Sequence, residues 1–205
     1  MSTRLIQQRN SNCDPPSSRD GKCPPHEGRR FRSLEAMADH YIRKHRPRTL
    51  QEFRSFQNDP SLRNCIRRAA RALDEDGDKH PHQWRVPPAA LNDLANSLTR
   101  KESAIMRCKS FKELLAIVEA ASKHIWRNAE LTVYDTAWRI AGRLGLEPEA
   151  VYLHAGTRVG ARALGITGRG PISVKHFPNG VWKLKPRELE DCLCMYKDRL
   201  PRNPR

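Results

Sequence analysis

Apolar residues in this chain recur at intervals of three and four and show no run of strict alternation before residue 170. That spacing puts them on one side of a helix and on both sides of a strand, so it predicts helices throughout. Ser33 precedes a first stripe, Leu34, Met37, Tyr41 and Ile42, which Pro47 stops. Thr49 with Glu52 three residues on predicts a capping box ahead of Leu50, Phe53 and Phe56. Asp59-Pro60 predicts the start of a third helix running to Leu73, with Leu62, Ile66, Ala69 and Leu73 inward and Arg63, Arg67, Arg68 and Arg71 outward. Pro88 leads a fourth, carrying Leu91, Leu94 and Leu98. Ser110 and Glu113 form a second capping box before Phe111, Leu114, Leu115, Val118 and Ala121, on a helix reaching about Ile125. Val174 to Trp182 holds Pro178 and Asn179-Gly180 and reads as loop. Pro186, followed by Glu188, Glu190 and Asp191, opens the last helix, with Leu189, Cys192, Leu193 and Tyr196 inward.

These elements predict an all-α fold: a single orthogonally packed helical domain of about eight helices over residues 31–200. Residues 1–30, with Pro15-Pro16, Pro24-Pro25 and almost no apolar period, read as a disordered basic tail. Residues 201–205 read as a flexible C-terminus. No stretch approaches the length of a membrane span, and no secretory signal leads the chain. The expected location is cytoplasmic with reduced thiols, Cys65 and Cys192 being small core residues.

Metal sites find little support in spacing. Cys13, Cys23 and His26 match no common zinc pattern, and the acidic run 74–78 lacks the ligand order of a calcium loop. His80 and His82 lie in a polar loop without a recognisable third ligand nearby in sequence, so Trp84 and Val86 are expected to pin that loop to the core. Neither a metal nor a cofactor is expected.

A formal net charge of +15 and a pI of about 10.1 favour a polyanionic partner, nucleic acid first. The most mixed stretch is 126–165, where small, aromatic and cationic residues alternate. Leu131 to Leu144 reads as a helix with Leu131, Tyr134, Trp138, Ala141 and Leu144 inward and Gly145 as its stop. Glu147-Pro148-Glu149 reads as another helix start, and Gly156-Thr157 opens a helix carrying Arg158 and Arg162 that ends at Gly165.

This layout, over roughly residues 111–165, resembles the helix-hairpin-helix glycosylase/lyase superfamily of DNA-repair proteins. The preceding helix ends at Trp126, the hairpin falls at Arg127 to Glu130, and Thr132 matches the family's Thr early in the second hairpin helix. Val151-Tyr152-Leu153-His154 matches the run that carries the family's catalytic Asp. The chain departs from the pattern at its chemistry. Arg127 and Ala129 replace the two hairpin glycines, Leu131 stands where the nucleophilic Lys would fall, and Tyr152 stands at the catalytic Asp, with Glu149 nearer by chain count.

Three expectations follow. In the first, the protein binds DNA, with Arg127, Asn128, Thr132, Arg139, Arg143, Thr157, Arg158 and Arg162 contacting phosphate. In the second it is a glycosylase- or nuclease-like enzyme on DNA, using Glu149 and His154, with Asp135 and Tyr152 as further chemical groups. In the third it is an adaptor whose basic N-terminal tail orders on an acidic protein partner.

Overall fold

A computed structural model describes residues 28–123, 125 and 130–201. Its elements are α-helices, 3-10 turns and isolated bridges, as the all-α reading expects. In order they are α1 Leu34–Lys44, α2 Arg46–Gln57, α3 Leu62–Ala70, α4 Pro88–Thr99, α5 Glu102–Met106, α6 Phe111–Ser122, α7 Glu130–Leu144, α8 Ala155–Ala163 and α9 Pro186–Met195. Residues 1–27 of the N-terminal tail with Cys13, Cys23 and His26, the hairpin residues Arg127, Asn128 and Ala129, and the last four residues lie outside the described residues. No helix among the described residues is long and apolar enough to cross a membrane.

Several helix starts fall where short-range chemistry put them. Ser33 accepts a hydrogen bond from the Ala36 amide, and Ser110 from the Glu113 amide at 3.2 Å. Other boundaries moved. α2 begins at Arg46 with Pro47 in its first turn, where a proline costs no hydrogen bond, so Thr49 and Glu52 are interior and form no capping box. Thr49 instead meets the Tyr41 hydroxyl at 3.2 Å. α3 is capped by Ser61 rather than Asp59, whose carboxylate is held by Arg68 at 2.9 Å. Leu73 has left the helix and forms a bridge with Lys79. Glu147-Pro148-Glu149 starts no helix: Val151 pairs in a bridge with Ile172, and the Glu149 carboxylate accepts from the Phe111 amide at the start of α6. Gly145 does end α7, with φ of 68°, a conformation that a side chain would strain.

The helices bury two apolar cores. One unites Phe56 of α2 with α3, α4, α5, α6 and one side of α7, centred on Phe111, Leu114, Ile140 and Leu98. The other unites α1, Val151 and Leu153, α8, the 177–184 segment and α9, centred on Met37, Tyr41, Phe177 and Leu189. α8 and α9 approach closely because Gly160 has no side chain: a Cβ there would overlap the Leu193 backbone, with its carbonyl carbon 2.8 Å away. Cys65, Cys108 and Cys192 are free thiols, and burial pushes Cys65 up to about 12.

Candidate functional site

α7 gives its apolar side to the first core and its charged residues to α2, α9 and the loop after α3. From Thr132 to Gly142 every residue is buried, including Asp135, Thr136 and Arg139. A helix that carries charge into the interior must meet partners there, because an unpaired buried charge costs several kcal/mol. Three neighbouring segments provide them: Glu52 from α2, His80, His82 and Gln83 from the loop after α3, and Arg187, Glu190 and Asp191 from α9. The result is a polar seam between the cores.

Its geometry is specific. Gln83, fully buried, donates to Asp135 Oδ2 at 3.0 Å and accepts from Arg139 Nη1 at 3.3 Å, so one amide joins an acid to a base. Arg139, 2% exposed, donates its Nε to Glu52 Oε1 at 3.1 Å. His82 Nδ1 stands 3.1 Å from Asp135 Oδ2. The Arg187 guanidinium lies 3.6 Å from Asp135 Oδ1 and 3.3 Å from both Glu190 and Asp191, and it packs over the rings of Trp138 and Tyr134. Tyr41 donates to Asp191 at 2.6 Å. His154 Nε2 is 2.7 Å from Glu190 Oε1.

The seam's electrostatics follow from burial set against these charges. For Asp135, burial favours the neutral acid, but the His82 hydrogen bond and the charges of His82, Arg139 and Arg187 outweigh it and hold the carboxyl well below its usual range. Glu52 is likewise lowered, its burial overcome by Arg139 and His80. His80 is pushed down to about 3, by burial first and by Arg139 second, so its ring is neutral at neutral pH. Asp191 goes the other way: burial raises it, and Glu190 adds to that. Tyr41 is raised by burial and by Asp191.

The residues expected to bind phosphate are not gathered on one open face. Arg139 is interior and committed to Glu52 and Gln83. Thr157 is fully buried and donates to the His154 carbonyl, and Thr132 is also buried. Arg143 is half-buried. Arg158 ties α8 to its surroundings, donating to the Leu153 carbonyl at 2.7 Å and to Glu130 at 2.8 Å. Arg162 alone of the described set is fully exposed. The expected catalytic pair is separately occupied, Glu149 capping α6 and His154 facing Glu190. Tyr152 packs against Phe111 and Tyr134.

The residues that do converge were mostly not foreseen. Trp84, expected to anchor the loop, is 60% exposed, and the anchor is Gln83 beside it. One signal was available: Asp135 and Arg139 stand one turn apart beside the inward stripe of α7, where a charge pair would be interior. The partners on α2, α9 and the loop carry no local mark. The fold and seam define a class no finer than an all-α protein with an ion-paired polar interior. Comparison with known proteins matches the chain to no family model, no curated protein and no solved structure.

Proposed function

We propose that the protein binds nucleic acid, duplex DNA first, through exposed cations on its helical surface. The observation that supports this is how the charge is distributed. The chain has 38 Lys and Arg against 23 Asp and Glu. Glu52, Asp135, Glu188, Glu190 and Asp191 are engaged inside the seam or against Arg46, which leaves the surface more basic than the sequence total. Arg63, Arg67 and Arg71 recur at one-turn spacing along the outside of α3 and its C-cap, Arg63 being held by Glu102 at 2.7 Å, and Arg162 projects from α8. A row of cations at that spacing suits a phosphate backbone and gives affinity without reading sequence.

The helix-hairpin-helix scaffold stays part of this proposal. α6 and α7 pack together on either side of the hairpin position. At the start of α7, Glu130 holds Arg158 at 2.8 Å. A phosphate contact by Arg158 would compete with that carboxylate.

Fluorescence anisotropy of a labelled duplex, titrated at several salt concentrations, tests the reading. We expect log affinity to fall linearly with log salt, with a slope of about −0.9 per phosphate contacted. Arg67→Ala with Arg71→Ala should reduce the slope by about 2. Glu130→Gln should tighten binding by about 2- to 5-fold, since it frees Arg158 and removes a like charge. Absence of binding at low salt, or binding with no salt dependence, would refute the proposal.

A further inference from the structure

The loop between α3 and α4 contains His80-Pro81-His82, and Pro81 opens a 3-10 turn in which His80 Nδ1 accepts from the His82 amide at 3.3 Å. The rings meet edge to face with centroids 4.8 Å apart. Asp135 lies beneath them. One nitrogen of each His and a carboxylate oxygen of Asp135 all fall within 4.8 Å of one another. A second observation is independent of that clustering. Asp135 Oδ1 is buried and accepts no hydrogen bond, its nearest cation being Arg187 at 3.6 Å. Four carboxylates, Glu52, Asp135, Glu190 and Asp191, meet two guanidinium groups here, Arg139 and Arg187, beside the imidazoles of His80, His82 and His154.

We propose that His80, His82 and Asp135 bind one divalent transition-metal ion, of which zinc best suits two imidazoles and a carboxylate. Metal–ligand bonds of about 2.0–2.1 Å at tetrahedral angles put ligand atoms about 3.3 Å apart. The His82 Nδ1 to Asp135 Oδ2 distance of 3.1 Å is already of that size. The most distant pair must close by roughly 1.5 Å, which side-chain rotation on a half-exposed loop supplies. On binding, His82 Nδ1 would turn its lone pair to the ion, which in the neutral ring leaves the proton on Nε2.

The surroundings hold these ligands as outer partners hold a metal site. Glu52 Oε1 stands 3.9 Å from His80 Nε2, so a ring that turned its other nitrogen to the ion would present an N–H to that carboxylate. Glu52 is fixed by Arg139, and Asp135 by Gln83. Arg139 and Arg187 oppose a cation, but each is already matched by its own carboxylates. The His82 side chain is 31% exposed, so the fourth position faces solvent and takes water, the arrangement of an open three-ligand site.

The test uses the full chain, stripped with a chelator and titrated with zinc by calorimetry, with cobalt(II) absorption in parallel. The expected result is one ion per chain, with a thermal midpoint raised by about 5–10 °C at a zinc concentration 100-fold above Kd. His82→Ala changes an exposed loop residue and should stay folded by circular dichroism while weakening zinc at least about tenfold. Asp135→Asn should do the same, with His82→Ala guarding against loss of folding in that variant. The proposal is overturned if stripped protein takes up no zinc, if His82→Ala binds it as tightly, or if the cobalt spectrum shows thiolate charge transfer, which would place the ion on cysteine.

Discussion

Arg139 gives the sharpest test of the seam, because sequence makes it a phosphate ligand and the structure makes it an interior one. Arg139→Met keeps much of the side-chain volume and removes the charge. It deprives Glu52 of a partner at 3.1 Å and Gln83 Oε1 of a donor at 3.3 Å. Breaking one half of a buried pair costs about 3–5 kcal/mol. The Glu52 side chain is 26% exposed and can recover some hydration, which pulls that figure toward its lower end. The orphaned amide oxygen of fully buried Gln83 adds about 1 kcal/mol. The expected loss is therefore about 4 kcal/mol, or about 2 M in urea midpoint for a slope of about 2 kcal/mol/M. Circular dichroism of urea unfolding reads this directly. Glu52→Gln added to Arg139→Met should cost less than the two changes summed, since no carboxylate is then left unpaired. DNA affinity of the folded protein should stay within about twofold of the parent. A loss under about 1 kcal/mol together with a large drop in DNA affinity would refute the interior assignment.

Two further outcomes follow. Gly160→Ala forces a Cβ into the Leu193 backbone and should cost about 2 kcal/mol, lowering the thermal midpoint by about 4–8 °C. Gly170→Ala, which meets nothing within 4 Å, is the control and should leave it unchanged. In chelator-treated protein, stability should fall as pH drops below about 6.5. The unfolded chain protonates His80 near its ordinary value while the folded chain resists until about 3, so the proton favours unfolding across that window. The lowered Glu52 and Asp135 extend the loss below their ordinary values, and the raised Asp191 opposes it. A thermal midpoint that stays flat from pH 7 to pH 5, or a decline that His80→Gln leaves untouched, would contradict this.

By itself the sequence determined the helical class and many helix ends. Ser33, Ser110, Pro88, Pro186 and Gly145 act on backbone groups within a few residues, so their effects are legible locally. The stripes of α4, α6 and α9 followed from the same short-range geometry. Where two local signals competed, tertiary contacts chose. Thr49 with Glu52 spelled a capping box, yet Tyr41 and Arg139 took those side chains. Tertiary structure alone decided the candidate site. Asp135 lies 55, 53 and 52 residues along the chain from His80, His82 and Gln83, and α9 lies as far beyond it in the other direction. No periodicity links them. They meet because α7 is buried along its length from Thr132 to Gly142, so its charged residues had to find partners on whichever segments closed over them.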